Sequence, residues 1–597
     1  MTARYVIGID LGTTNSVLAY APLTGDKAEV QLLPIPQLTA PGTVESRTML
    51  PSFLYLGTKA DAAGNAFDLP WSSGRDFAVG ELARRQSAEY PDRTVSAAKS
   101  WLCHSRVDRH QAILPWGAGD DIPKVSPVTA SRRFLEHLVA AWQLAFPETP
   151  LAEQVVVLTV PASFDASARE LTREAAGQAG LPDSMILLEE PQAAVYAWLT
   201  SRGDAWRKSL AVGETLLVCD VGGGTTDLTL VGATEEQGEL MLRRIAVGNH
   251  LLVGGDNMDL ALAHHVAGLF AKKGVKLDPW QSVSLWHSCR TAKETLLAES
   301  GPKKHPISVL GRGSKLIGGT VTVDVDRQTV ADLLADGFLS RCQPQDRPHK
   351  SRISGFQELG LPYEADTAIT RHLAGFLQSH GTDDGEPLRP TRVLFNGGVF
   401  KAHLFRERLM ETLASWFPSQ PPKVLDGVHD LDHSVARGAA YYGWAKRHGG
   451  VRIRGGTARS YYIGIETAGL AIPGAPRPLR ALCVVPFGME EGTELDVPSD
   501  PIGLIVGQAA QFRFFSSSVR KDDQAGVRLS AWTEDELQET DSLEATLPAD
   551  DAENEHYVPV HFQTRITELG LLELWCVSAR GAGKWKLEFS VREPESD

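Results

Sequence analysis

Apolar and polar positions along the chain follow two regimes. Up to about residue 445, short apolar runs alternate with stretches of helical periodicity, and beyond it helical periodicity fades. The chain opens on Tyr5, Val6, Ile7, Gly8 and Ile9, meets Asp10 and Gly12, then the polar group Thr13, Thr14, Asn15 and Ser16, and returns to an apolar run at 17–20. This predicts a β-hairpin. Residues 34–76 are rich in Pro, Gly and polar side chains around Phe53, Leu54, Tyr55 and Leu56, which predicts one strand with long loops. Residues 79–86 have a helical composition, and after Pro91 so do residues 95–102; the basic residues here, Arg84, Arg85 and Lys99, could reach a phosphate, although the usual place of a helical Arg or Lys is a solvated face. Between 131 and 146, Phe134, Leu135, Leu138, Val139 and Trp142 recur at helical spacing. A β-branched run at 155–160 predicts a buried strand, 166–179 a helix, and 185–188 a strand ending in Glu189, Glu190 and Pro191 before a helix from Gln192. Alternating strand and helix is the pattern of an α/β domain with chemistry at the carboxyl ends of its strands, where Glu190 falls.

The opening pattern then recurs. Leu216, Leu217, Val218 and Cys219 lead into Asp220, Gly222, Gly223, Gly224, Thr225, Thr226 and Asp227, and a second apolar run follows at 228–231. Two such hairpins predict a duplicated fold whose halves clasp a polyphosphate. Glycine turns leave amides uncovered, and the hydroxyls of Thr13, Thr14 and Thr225 gather round an anion with them. Asp10 and Asp220 accept hydrogen bonds only and would repel a phosphate, so they imply a bridging Mg²⁺ held through water. Further on, Gly254 and Gly255 open a helix through Phe270, and a helix over 283–297 carries Arg290, Lys293 and Glu294. A strand from 391 runs into Gly397 and Gly398, a turn that admits a flat ligand such as a nucleobase or is simply tight. Asp432 starts a helix of small residues through Ala440. His429, Asp430, Asp432 and His433 match no zinc spacing and read as a polar helix start. Gly581, Gly583 and Lys584 lack the spacing of a Walker loop.

From about 450 the composition changes, with residues 451–456 reading as a linker. Residues 572–578 and 585–591 nearly alternate, which predicts a hairpin of an antiparallel sheet buried on one face. A length of 597 residues calls for at least two domains, and 43% apolar with 22% charged side chains describes an ordinary soluble protein. The net charge of −15 argues against a general nucleic-acid binder. Residues 533–555 hold ten acidic side chains and no Lys or Arg, a stretch that reads as a solvated loop. Six scattered cysteines without metal-ligand spacing read as reduced thiols. No leader pattern and no apolar run of roughly 18 residues occurs, so no membrane association and a cytoplasmic location are expected.

Together these residues resemble the seventy-kilodalton heat-shock protein (Hsp70) family, the DnaK-type chaperones, within the wider actin and sugar-kinase fold. The likeness runs through about the first 445 residues. Residues 8–16 and 220–227 look like the family's two phosphate motifs, Glu190 and Pro191 its catalytic glutamate and neighbour, and Gly397 and Gly398 its adenosine motif. Val160, Pro161, Ala162, Ser163 and Phe164 with Arg169 are similar to its interdomain relay segment, 432–440 to its last nucleotide-binding helix start, and Ile463, Gly464, Ile465, Glu466 and Thr467 to part of its β-sandwich. The resemblance implies an α/β fold: a duplicated actin-like (ribonuclease H-like) ATPase domain over 1–447, a linker over 448–460, and a β-sandwich substrate-binding-like domain over 461–597. It implies ATP/ADP and Mg²⁺ as cofactors. Partners would be polypeptide clients with exposed apolar segments, together with co-chaperones or nucleotide-exchange factors. The implied catalytic set is Arg84, Glu190, Thr225, Asp10 and Asp220. Nucleotide would be held by Gly12, Thr13, Thr14, Asn15, Gly222, Gly223, Gly224, Thr225, Gly255, Lys293, Gly397, Gly398, Lys401 and Asp432, the metal by Asp10 and Asp220 through water, and the relay by Pro161 and Arg169.

Departures from the family pattern are specific. Arg84 stands where the register through Gly80, Glu81, Leu82 and Ala83 puts a catalytic lysine; it keeps the charge on a planar fork that places an attacking water less well than a compact ammonium. Arg290, Glu294 and Leu297 surround Lys293 where Glu, Arg and Ser are usual, and Lys401 replaces an arginine that would stack on the base. Modest nucleotide affinity is expected. A basic, glycine-rich stretch over 449–459 replaces the leucine-rich acidic linker, so coupling through a J-domain partner does not follow. Only six residues follow Val591, so no helical lid is expected and substrate exchange should be fast. The expected function is slow ATP hydrolysis controlling client binding; a nucleotide-gated scaffold with negligible hydrolysis is the alternative. A small-molecule kinase on the same fold leaves the β-rich tail unexplained.

Overall fold

Two Asp-Gly hairpins anchor two six-stranded sheets built on the same plan. In the first, Tyr5–Leu11 pairs antiparallel with Asn15–Pro22 and parallel with Val155–Val160, which pairs parallel with Ile186–Glu189. In the second, Thr215–Val221 pairs antiparallel with Thr226–Glu236 and parallel with Arg392–Asn396, which pairs parallel with Lys423–Val424. Register places the aspartates equivalently: Asp10 lies opposite Thr159 and Asp220 opposite Asn396, each at the carboxyl end of a central strand. The computed structural model describes residues 3–104, 106–236, 239–309, 320–349, 361, 363–381, 385–427, 430–449, 453–454, 456–457, 459–466, 479–490, 492–505, 508–540, 542–546, 557–567, 571–581 and 583–589. The sequence readings at His429, Thr467 and Val591 lie outside them.

The strand interiors explain the layering. Val156, Val157, Leu158 and Val160 are buried on both faces, as a parallel strand covered by helices requires. One face packs on the helix Pro127–Ala145 through Phe134, Leu138 and Trp142. The other meets the helices Glu190–Arg202 and Ser434–His448. Small residues in Ser434–His448 serve close backbone approach, since a Cβ on Gly438 would lie 1.8 Å from the Ala193 carbonyl oxygen and one on Gly8 2.3 Å from the Ala436 carbonyl oxygen. The second sheet packs on Gly255–Lys272, with Pro279–Leu297, Arg327–Phe338, Ile369–Ser379 and His403–Trp416 completing its core.

The C-terminal part is all β. Ser460–Glu466, Leu479–Val485 and Phe514–Ser517 form the centre of one sheet, and Tyr557–Ile566, Leu572–Ser578 and Lys584–Phe589 that of the other. Along Tyr557–Ile566 every second residue, from Val558 to Ile566, is buried, and these side chains share a core with Ile463, Val484 and Phe514. All six cysteines are free. No helix among the described residues is long and apolar enough to cross a membrane.

Three local expectations are corrected. Residues 34–76 contain a hairpin, Ile35–Ala40 with Thr43–Arg47, in addition to Leu54–Leu56. The acidic stretch is partly paired strand, Gln538–Glu539 and Leu543–Thr546, because Arg520 and Arg513 neutralise Glu536 and Glu539. Within the linker, Ile453–Arg454 adds to the second sheet, parallel to Glu239–Val247. Backbone pairing there needs no leucine side chains.

Candidate functional site

The two hairpin turns face each other across a cavity of about 690 Å³. Their approach is close: a Cβ on Gly223 would lie 2.0 Å from Thr14 Oγ1, and one on Gly224 3.0 Å from Thr13 Cγ2 and 2.7 Å from Ser100 Oγ. Only glycine fits there. Asp10, Gly12, Thr13, Thr14, Asn15, Glu190, Asp220, Gly222, Gly223 and Thr225 line this cavity at one end, and Gly255, Lys293, Gly397, Gly398, Lys401 and Asp432 line it at the other. Pro161 and Arg169 are not on its wall; Arg169 lines a separate cavity of about 420 Å³ near the linker.

At the hairpin end three carboxylates, Glu190, Asp10 and Asp227, act on one cation, Lys99, and Asp220 lies close to the same carboxylates. The Lys99 ammonium contacts Glu190 Oε1 directly, with the two side chains 5% and 13% exposed. Burial first, and then the neighbouring Glu190 charge, push Asp10 up to about 7, while Lys99 and a 3.3 Å hydrogen bond from Thr159 Oγ1 act the other way. Burial and Glu190 also push Asp220 well above the ordinary carboxylate range, against the 2.7 Å hydrogen bond donated by Asn396 Nδ2. Glu190 and Asp227 are raised chiefly by burial. Burial works against the Lys99 ammonium, but Glu190 and Asp10 outweigh it and hold its pKa above the ordinary value.

The cation that contacts Glu190 is Lys99, whereas the register points to Arg84. Arg84 is on the cavity wall, but its guanidinium is turned to Glu81, with Nε 3.0 Å from Oε2 and Nη2 3.0 Å from Oε1. Arg47 and Arg85 pair with the same carboxylate. Glu81 is 3% exposed and Arg84 39%, so the buried carboxylate draws the arginines back along their own helix, Glu81–Glu89. Lys99 instead projects from the short helix Ala98–Trp101, entered through Ala97 in a left-handed conformation with φ 54°. A non-glycine residue held there is backbone strain at a functional position. Residues around Lys99 supplied a signal: a lone lysine among Ala97, Ala98, Trp101 and Leu102 sits in an apolar setting, unlike the exposed face of an ordinary helix.

At the other end, Arg290 and Lys293 are tied down by acids. Arg290 donates from Nε to Asp259 Oδ2 at 2.9 Å and from Nη2 to Asp256 Oδ1 at 2.6 Å, and Lys293 Nζ lies 2.6 Å from Asp259 Oδ1. Lys293 also donates to the Gly255 carbonyl oxygen at 2.9 Å. Lys401 pairs with Asp432. Gly397 adopts φ 86°, and a Cβ there would lie 2.3 Å from the Val221 carbonyl oxygen, so the double glycine lies against the second phosphate-type strand.

Beside the cavity, Arg169 Nη2 donates to Glu189 Oε1 at 2.9 Å, and Arg244 Nη1 contacts Glu189 Oε2. Arg244 Nη2 also reaches the Gly456 carbonyl oxygen of the linker stretch, and the Tyr196 hydroxyl accepts from the Ile453 backbone N–H at 2.8 Å. Arg244 was not legible in the sequence as part of this region.

The donor set fits a hard cation held through water. Four carboxylates, Asp220 and Asp227 buried and Asp10 and Glu190 partly so, against one ammonium leave an excess of negative charge that a divalent ion and its waters would offset. Among the described residues no three His, Cys, Asp or Glu side chains form a group that could hold a metal ion directly. Hydroxyls and open amides beside that charge suit phosphate oxygens.

A family model described as Hsp70 protein matches residues 71–347. The HscA homologue chaperone proteins of Acinetobacter baumannii strains ATCC 17978 and AYE are each 26% identical to this chain over 374 residues, 60% of this chain and 51% of each relative. The chain spans about half the length of the curated relatives it matches.

Proposed function

We propose that this chain is a member of the Hsp70 family, that it binds Mg·ATP between its two hairpin turns and that it hydrolyses it slowly to control polypeptide binding by its C-terminal β region. One observation carries the reading: Lys99, Asp10, Glu190 and Asp220 line one cavity together with two apposed Gly-Thr turns. The architecture supports an actin-like ATPase domain over 1–447, a linker over 448–460 and a β-sandwich over 461–597.

Asp10 and Asp220 would hold Mg²⁺ through its waters, and the ion, when bound, neutralises phosphate charge. The Thr13 and Thr14 hydroxyls and the amides of the Gly12 and Gly222–Thr225 turns orient the phosphates. Lys99, compact and fully charged beside Glu190, offsets negative charge that develops on the transferred phosphoryl group. Glu190 and Thr225 orient the attacking water, and Glu190 is available to accept its proton. The side chains Arg290 and Lys293, held by Asp256 and Asp259, line the adenosine end with Gly397 and Gly398. Clients with exposed apolar segments, co-chaperones or exchange factors, and a cytoplasmic setting belong to the same reading.

Single-turnover hydrolysis by the wild type, Lys99→Ala and Thr225→Ala tests it. The wild type is expected to hydrolyse ATP and both variants to bind it but turn over far more slowly. ATP binding by all three with no hydrolysis would overturn the enzyme reading in favour of a nucleotide-gated binding module.

A further inference from the structure

A second cavity, of about 540 Å³, lies beside the nucleotide cavity and shares Glu81, Arg84 and Arg290 with its wall. Its two sides come from opposite halves of the fold. The helix Glu81–Glu89 forms one, and the helix Pro279–Leu297 with the strand Lys304–Val309 forms the other. Arg85 and His305 line this second cavity and not the first.

Its charge is opposite to that of the chain as a whole, whose net charge is −15. Glu81 is the one acidic side chain among the described residues on its wall, against Arg84, Arg85 and Arg290. Arg290 is already balanced by Asp256 and Asp259. Arg47, which also reaches Glu81, is answered by Glu45 at 3.0 Å. Arg84 and Arg85 are therefore left with one carboxylate between them, and a positive charge is in excess.

The hydrogen bonds show which donors are spare. Arg84 spends Nε and Nη2 on Glu81. Arg85 donates from Nε to Glu81 Oε1 at 2.9 Å and from Nη1 to the Thr39 carbonyl oxygen at 2.8 Å. Among the described residues, Arg84 Nη1 and Arg85 Nη2 have no partner, so the buried Glu81 fixes both forks and leaves one edge of each open. On the opposite side His305 Nδ1 is buried with no hydrogen-bond partner, a state that ordinarily calls for a ligand or a water. In its Nδ1–H tautomer it is a further donor, and the exposed Thr291 hydroxyl lines the same side. Phe53 and Ile307, 1% and 2% exposed, give the cavity an apolar floor.

We propose that this cavity is a second anion site, which takes a phosphate group between Arg84 and Arg85 on one side and His305 on the other. A tetrahedral dianion offers acceptor oxygens to both sides at once, whereas a planar carboxylate offers two oxygens in one plane. The phosphate may be the free ion or that of a small phosphoester, whose organic part the apolar floor accommodates. The site is independent of the nucleotide reading, since Arg85 and His305 take no part in that reading.

The test is calorimetric titration of the full chain with inorganic phosphate and, separately, with ribose 5-phosphate, each with and without saturating Mg·ADP in the first cavity. Wild type is compared with Arg85→Ala, Arg85→Lys and His305→Phe; Arg85 is 55% exposed, so its replacement leaves the core intact. The wild type is expected to bind phosphate at one site when Mg·ADP is present. Arg85→Ala should weaken that binding about tenfold or more and His305→Phe about threefold or more, while Arg85→Lys, which keeps the charge and loses the fork, recovers part of the loss. Tighter binding of ribose 5-phosphate identifies a phosphoester as the ligand, and binding of inorganic phosphate alone identifies the free ion; either sustains the site. No phosphate binding by the wild type, its loss once Mg·ADP is bound, or affinity unchanged in Arg85→Ala or in His305→Phe overturns the proposal. A wild type that binds no Mg·ADP brings down the nucleotide reading instead, and the Arg85 dependence measured without nucleotide then decides the second site.

Discussion

Glu189 and Glu190 are consecutive in the chain and belong to two different ion-pair networks: Glu190 holds Lys99 at the cavity, while Glu189 lies between Arg169 and Arg244 on the linker side. The strand Ile186–Glu189 ends and the helix Glu190–Arg202 begins between them, with Pro191 in the first turn, so the change from extended to helical backbone sends the side chains apart. Burial opposes the Glu189 charge, but Arg244 and Arg169 outweigh it and hold its carboxyl below the ordinary range. Removing one partner of a buried pair leaves the other uncompensated, at a cost of about 3–5 kcal/mol. Glu189→Gln and Arg244→Gln are each expected to destabilise the chain strongly, and the double variant less than the sum. Thermal unfolding of the four proteins measures the coupling, expected at about 1–3 kcal/mol; additive losses would show that the contact carries nothing.

Lys99 and Arg84 should separate cleanly in hydrolysis. Lys99→Ala is expected to lower the single-turnover rate by about 100-fold or more, because it removes the cation that contacts Glu190. Arg84→Ala should change the rate by less than about fivefold, since its guanidinium is engaged by Glu81. Equal losses would return the catalytic role to Arg84.

Asp10 gives the pH dependence. Its carboxyl rises from 3.8 to about 7 on folding, by burial and then by Glu190. Between those values the folded chain binds more protons than the unfolded one, so metal-free stability falls as pH rises from about 4 to about 7 and levels off above. Thermal unfolding without Mg²⁺ should show that fall, and Asp10→Asn should flatten it. Mg²⁺ needs the ionised carboxylate, so its affinity should rise through the same window. A pH-independent Mg²⁺ affinity between 5 and 8 would contradict this.

Gly223→Ala should abolish nucleotide binding with little loss of stability, because its Cβ would enter the gap 2.0 Å from Thr14 Oγ1. Gly438→Ala should do the reverse. Its Cβ would lie 1.8 Å from a backbone oxygen in the helix that begins with Glu190, and overpacking of that kind costs about 1–3 kcal/mol. Nucleotide titration and calorimetry on the two variants distinguish these outcomes.

The sequence by itself determined the parts whose signal is local. Gly12, Thr13 and Thr14, their counterparts Gly222 to Thr225, the strands behind them and Glu190 at a strand end follow from residue types within a dozen positions, because turn chemistry and strand periodicity are short-range. The alternation that makes the C-terminal sheets is equally local. Tertiary structure alone decided which cation meets Glu190. Lys99 and Arg84 both sit on helical segments close to the cavity, and the choice turns on Glu81, which engages Arg84, and on the left-handed Ala97, which aims the next helix inward. It also decided that the linker adds a strand at Ile453–Arg454 despite its composition, and that Arg244 ties it to Glu189. Those outcomes depend on burial and on charges far apart in the chain. The balance between desolvation and pairing is set only when the two sheets and the β region have been brought together.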